Sequence, residues 1–181
     1  MTSGTSGSTT TTITGEQADL LAMLAKARHF LRFTTRGLND EQARQRTTAS
    51  ELTLGGLIKH VTAVERQWAG FILNGPAGAP DFNAMTEADY AQWADAFKLL
   101  PEETLAGVLA DYEKAAGYTD GLVTEGPGLD LSHPLPPAPW NPPGARWTVR
   151  FTLMHIAAET AQHAGHADII RETLDGSKSM G

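Results

Sequence analysis

Apolar residues recur along this chain at alternating spacings of three and four, and no stretch shows the alternation of a half-buried strand. From Glu16 to Arg36, Leu20, Leu24, Ala27, Leu31 and Thr34 line one stripe that continues to Leu38, while Lys26, Arg28, Arg32 and Arg36 fall mostly elsewhere on the wheel. This predicts a first amphipathic helix, closed by Gly37 as its C-terminal cap. Asn39 to Ala49 is polar and irregular, with room for one short turn. A second helix follows Ser50 or Thr53, either of which can supply an N-cap oxygen, and stops at Asn74-Gly75-Pro76. Its stripe is Leu54, Leu57, Val61, Val64, Trp68 and Phe71. His60 lies at the edge of that stripe, away from the outer face that carries Arg66. On its own it reads as a partly buried, hydrogen-bonded histidine able to reach a bundle core.

Residues 75–83 form a Gly/Pro/Ala loop, after which Tyr90, Trp93, Ala94 and Phe97 predict a short helix within 86–100, opened by Thr86 and Asp89 as a capping pair. Pro101-Glu102-Glu103 has the composition of a helix start, and Leu105, Val108, Leu109, Tyr112, Ala116 and Thr119 carry a third long helix to about Val123. Gly126 to Ala145 holds most of the prolines, so it can be neither helix nor central strand. A loop of this length is either the lid or wall of a site or a passive crossover between helices that end up parallel. His133 within it has no spaced partner and reads as a surface residue.

Trp147 to Gly176 reads as one long final helix, and here the pattern changes. His155, Glu159, His163 and His166 fall within about 80° of one another at 100° per residue. The charges Arg150, Asp168, Arg171, Glu172 and Asp175 occupy the far side, with Ile156, Ile170 and Leu174 flanking the polar stripe on one edge and Phe151 and Ile169 on the other. The stripe is therefore expected to point inward. Burying imidazoles and a carboxylate without partners is costly, and a bound metal ion is the most economical compensation. Glu and His one turn apart present two ligands to one ion, and a His from a facing helix completes three, leaving a position open as in catalytic sites. A buried hydrogen-bond network is the alternative.

Composition narrows the classes. A chain of 181 residues with 41% apolar residues suits one domain. The absence of cysteine excludes disulfides, zinc-thiolate sites and a cysteine nucleophile, so any thiol chemistry needs a thiol from outside. A formal charge of −7 argues against a nucleic-acid partner. No apolar run is long enough to span a bilayer and residues 1–14 lack the marks of a signal peptide, so no membrane association and a cytoplasmic location are expected. Residues 1–14 are expected to be a disordered tail, 15–176 a single all-α domain, and 177–181 a short C-terminal tail. Four long helices joined by long connections make a four-helix bundle with at least one crossover.

LTLGGLIKHVTAVERQW (52–68) and WTVRFTLMHIAAETAQHAGHADIIRETLDG (147–176), with GLNDEQAR (37–44), resemble the DinB-like four-helix metalloproteins. The resemblance is to the actinobacterial branch related to mycothiol-dependent maleylpyruvate isomerase and mycothiol S-transferases, and it covers about 15–176 except the Pro-rich loop. It implies a DinB-like bundle in which His60, from the L-x-K-H segment, and Glu159 and His163, from E-x-x-x-H, ligate a divalent ion, zinc first, with nickel or iron as alternatives. It further implies that His155 and His166 support the site around those ligands. The corresponding function is a metal-dependent S-transferase that joins a low-molecular-weight thiol such as mycothiol to an electrophilic small molecule. A metal-dependent hydrolase, or a metal-binding bundle without catalysis, is the competing reading, and a homodimer is compatible with either.

Overall fold

The computed structural model describes residues 13–77 and 85–179, with the side chains of 90–93 left aside. Most of the expected N-terminal tail, part of the 75–83 loop, and the predicted inward positions of Tyr90 and Trp93 lie outside the described residues and side chains. The described chain forms α1 (Gly15–Phe33), α2 (Asp40–Arg44), α3 (Leu54–Asn74), α4 (Glu87–Asp95), α5 (Leu105–Glu125), a two-stranded ribbon of β1 (Ser132–Pro134) and β2 (Arg146–Thr148), and α6 (Val149–Asp175). It is an all-α bundle, with α1, α3, α5 and α6 as its four long members.

Side-chain contacts fix the helix directions. Gln17 at the start of α1 donates to the Val123 carbonyl near the end of α5, so those helices are antiparallel. Arg150 pairs with Glu16 and Arg171 donates to the Thr34 and Arg36 carbonyls, so α1 and α6 run parallel. Lys59 pairs with Glu103 and Arg66 with Asp111, which makes α3 and α5 parallel. The crossover that a parallel pair demands is thus the 75–104 connection containing α4. The Pro-rich segment instead joins two antiparallel helices at one end of the bundle.

Local chemistry explains where each element starts and stops. Thr14, Asn39, Thr53, Thr104 and Thr148 each accept a hydrogen bond from a backbone N–H of the first turn they cap. Helix α1 ends at Phe33, short of the predicted Gly37 cap, because the Thr34 and Thr35 hydroxyls turn back onto the Leu31 and Arg32 carbonyls at 2.7 and 2.8 Å. Gly37, at φ 72°, takes the left-handed position of the turn that follows. Pro101-Glu102-Glu103 lies outside α5; Thr104 is the cap, and Asp40 accepts from the Leu105 N–H at 2.7 Å. Asn39 to Ala49 gains its short helix, α2, by a capping box between Asn39 and Gln42.

The Pro-rich segment is not wholly irregular. Its β1 pairs antiparallel with β2, His133 opposite Trp147, as a two-stranded ribbon in which Pro134 sits without a central-strand neighbour. His133, expected at the surface, is half-buried: its Nε2 lies 3.2 Å from the Ile72 carbonyl and its ring meets Phe71 edge-on. Sequence spacing gave no sign of this because the partner lies across the fold.

The core has two apolar clusters, one around Leu31, Leu54, Leu57, Ile58, Val61 and Tyr112, the other around Leu24, Ile72, Val123, Leu153 and Ile156. An ion pair lies between them along the helices. Arg28 on α1 binds both oxygens of the fully buried Glu65 on α3 and donates to Asp120 on α5 at 2.8 Å. Three of the four long helices are tied at this level. Glu65→Ala, which strands the Arg28 charge in a buried place, should therefore cost about 3–5 kcal/mol in urea unfolding at neutral pH; a loss below about 1 kcal/mol would show that the pair is not a structural tie.

Candidate metal centre

The site begins with the first turn of α3. Gly55 and Gly56 are poor helix formers, and their use here is spatial. A Cβ on Gly56 would stand 1.8 Å from the Phe97 carbonyl oxygen and one on Gly55 2.9 Å from the Leu99 side chain, so the pair allows residues 97–99 to lie directly on α3. That close approach stacks the Phe97 ring on His60, centroids 4.0 Å apart. Lys59, beside His60, holds the same segment from its other side, reaching the Asp95 and Lys98 carbonyls at 3.4 Å and Glu103 at 2.8 Å. Arg44 from α2 adds bonds to the Leu100, Pro101 and Glu103 carbonyls.

Helix α6 meets α3 in antiparallel register. The His60 and His163 rings are 4.9 Å apart, and eight residues further along each helix the Trp68 and His155 rings are 5.0 Å apart. Glu159 lies on the turn between them. His60, Glu159 and His163 each offer a ligand atom, and these atoms lie within 4.8 Å of one another. The three predicted ligands are thus brought together across two helices by packing alone. Two imidazole nitrogens and a carboxylate oxygen are a donor set suited to zinc and other first-row divalent ions, and three donors are one fewer than a closed tetrahedral site holds.

Burial favours the neutral form of His60 and of His163. Burial pushes His60 down to about 4, with any charge on His163 adding to the effect. Burial also lowers His163, against the opposing pull of Glu159, and His166 lowers it further. His163 Nε2 approaches Glu159 at 3.7 Å, and burial of the ring disfavours the charged form that an ion pair would need. On its other side, His163 Nδ1 lies 3.4 Å from Nδ1 of His166. If Nδ1 of His163 donates to His166, its Nε2 lone pair is directed toward Glu159, so His166 fixes tautomer and ring orientation together.

His155 stands apart from this contact. Its ring packs against both Trp68 and Trp147, 5.0 and 4.7 Å from their ring centres, while the two indoles stack on each other at 4.8 Å. The β1/β2 ribbon delivers Trp147 to this cluster. Burial lowers the His155 pKa and Glu159 opposes the shift. The stripe expected to point inward lies at the margin of the core: His155, Glu159, His163 and His166 are half-buried, while Phe151 and Ile169 on its outer edge are exposed. Helix α3 covers the stripe from one side only, and this leaves Glu159 accessible. Sequence reading placed Phe97 on a helical stripe and gave Lys59 no role; the Gly-Gly pair in the first turn of a helix was the available signal that another backbone approaches there.

The chain matches the family model described as Mycothiol-S-transferase over residues 19–176. No curated protein matches it. Among the described residues no helix is long and apolar enough to cross a membrane.

Two outcomes follow for metal binding. Because burial has already moved His60 and His163 below the ordinary imidazole range, zinc retention in equilibrium dialysis should stay level from about pH 8 to about 6 and fall between about 6 and 4. The metal-free fold should weaken over the same interval, because the unfolded chain, with the higher histidine pKa, takes up the proton first. Half-loss of zinc already near pH 7 would contradict this. Among variants, His60→Ala and His163→Ala should remove most bound metal with helicity retained, and Glu159→Gln should weaken binding less. His166→Ala should reduce affinity about 10 to 100-fold and His155→Ala by less, since only His166 touches a ligand ring. Metal binding abolished in His155→Ala but intact in Glu159→Ala would require a three-histidine site.

Proposed function

The chain belongs to the mycothiol-S-transferase family, within the DinB-like superfamily, and from that premise we propose that it is a divalent-metal-dependent S-transferase acting on an electrophilic small molecule. The observation that carries the metal dependence is the convergence of His60, Glu159 and His163 from two helices, with ligand atoms within 4.8 Å. Zinc is the ion the donor set suits first, and the thiol is mycothiol or a close relative.

The chain supplies no sulfur nucleophile of its own, as it has no cysteine. A bound divalent ion would supply the Lewis acidity that lowers the pKa of an incoming thiol. The protein's part is to hold its two ligand imidazoles neutral at physiological pH, with the Phe97 ring shielding His60 from water and His166 setting the orientation of His163. When the thiol sulfur bonds to the electrophilic carbon, a leaving group departs from that carbon with the bonding electron pair and the S–H proton is released, and the imidazoles of His155 and His166 are the nearby groups able to accept it. The open flank beside Glu159 is the approach for both substrates.

Elemental analysis of the purified protein, followed by thiol-depletion assays with mycothiol and a panel of electrophiles, tests this reading. About one ion per chain is expected, with thiol consumption abolished by chelation and restored by zinc. His60→Ala should lower the rate by about 100-fold or more, as a lost ligand removes the ion itself. Equal turnover by metal-free protein would sink the metal dependence; bound metal with no thiol consumption across the panel would favour the non-catalytic bundle.

A further inference from the structure

We propose that the ring cluster of Trp68, Trp147, Phe151 and His155 is the subsite that holds the electrophile, and that it selects planar, electron-poor rings. The inference rests on the S-transferase reading and names the substrate class that this reading leaves open. His155 precedes Glu159 by one turn of α6, about 6 Å along the helix axis, so the rings begin where the candidate ligands end. A molecule reacting on the open flank beside Glu159 therefore has this cluster as its neighbour on the N-terminal side of α6.

The rings stand outside the core proper, yet they are held. Trp68 packs against the second apolar cluster as a partly buried neighbour. Trp147 and His155 are half-buried, and Phe151 is 45% exposed. The β1/β2 ribbon sets Trp147 opposite His133; His133 meets Phe71 edge-on at 5.6 Å, and Phe71 meets Trp68 edge-on at 5.3 Å. Trp68 and Trp147 then stack with their planes 25° apart, and Phe151 leans on Trp147 at 4.8 Å. Rings already fixed by one another lose little rotamer freedom when a ligand settles on them. A braced aromatic wall with a few polar groups at one end is the usual composition of a small-molecule site.

Ring chemistry selects the occupant. Indole faces carry partial negative charge, and from Phe151 to Ala167 the only Asp, Glu, Lys or Arg on α6 is Glu159. Such a wall attracts rings whose own faces are depleted of electrons, and an electron-poor ring that bears a leaving group is an electrophile. A thiol carried on a polar body asks instead for hydrogen-bond partners, which ring faces supply poorly. A halogenated nitroarene is the type case. The thiol sulfur bonds to the ring carbon that carries the halogen, the carbon–halogen bond breaks, the halide leaves with the bonding pair, and the S–H proton passes to an imidazole, of which His155 is the one in the wall.

Equilibrium dialysis of meta-dinitrobenzene, which has the electron-poor ring and no halide to lose, reads the wall without turnover, in chelated and in zinc-loaded protein. Saturable binding is expected, about tenfold or more tighter than that of the non-aromatic nitrocyclohexane. Trp147→Leu should raise the dissociation constant about tenfold and Phe151→Leu about threefold, whereas Trp147→Phe, which keeps a ring, should stay within about twofold of the unaltered chain, with circular dichroism confirming each fold. In thiol-depletion assays with mycothiol, the ratio of kcat/KM for chlorodinitrobenzene to that for iodoacetamide should fall about tenfold in Trp147→Leu, through KM for the arene. Dinitrobenzene bound no better than nitrocyclohexane, binding indifferent to both Trp147→Leu and Phe151→Leu, or a ratio unmoved by Trp147→Leu would overturn the proposal. No turnover of either electrophile, with Trp147-dependent ring binding intact, would instead overturn the S-transferase reading.

Discussion

The bundle is constrained at its middle by a charge that cannot be left alone. Arg28 is buried, and its cost is offset only because Glu65 binds it with both oxygens and Asp120 takes a further N–H. No apolar residue could make the same three-way demand. Leucines between α1 and α3 would tolerate a range of helix rotations, whereas a guanidinium between two carboxylates tolerates few. Fixing the rotation of α3 at Glu65 fixes the direction of His60 five residues earlier, and so the polar layer of the core and the candidate metal centre are parts of one geometric specification.

The second constraint is the antiparallel register of α3 and α6. Because the helices run in opposite directions with matched rise, each turn of α3 meets one turn of α6 as a rung, histidine against histidine near one end and tryptophan against histidine near the other. The polar donors collect on one rung and the aromatic surface on the other. Glu159 lies between them, at the boundary of the two environments.

Much of this was legible in the sequence. Helix periodicity located all four long helices, and the His/Glu stripe of α6 identified the residues that come together, because ligands one turn apart on a helix need no tertiary information to be recognised. Assigning His60 needed the family resemblance, since a lone histidine at the edge of an apolar stripe has many meanings. Other features were hidden for specific reasons. Residues that act across the fold, such as Arg44 on the 100–103 carbonyls and His133 on the Ile72 carbonyl, leave no periodic trace. The end of α1 was set by hydroxyls that compete with the backbone and not by the downstream glycine. The three-residue ribbon was too short for alternation to show. The stripe's position at the margin of the core could not be told from its angular width, because Phe151 and Ile169 have the composition of core residues and lie outside it.

The Gly55-Gly56 platform carries a consequence for His60. Residues 95–103, which place Phe97 on His60, are held chiefly by Lys59, by Arg44 and by fit against two hydrogen-sized side chains. These ties are distinct from the Arg28–Glu65 layer and from most of the two apolar clusters. Leu99 of the same segment is buried in the first apolar cluster, so the cover is continuous with the core packing behind His60. A single methyl group added at residue 56 would collide with the Phe97 carbonyl and displace the ring stacked on His60, changing the surroundings of that imidazole without touching it.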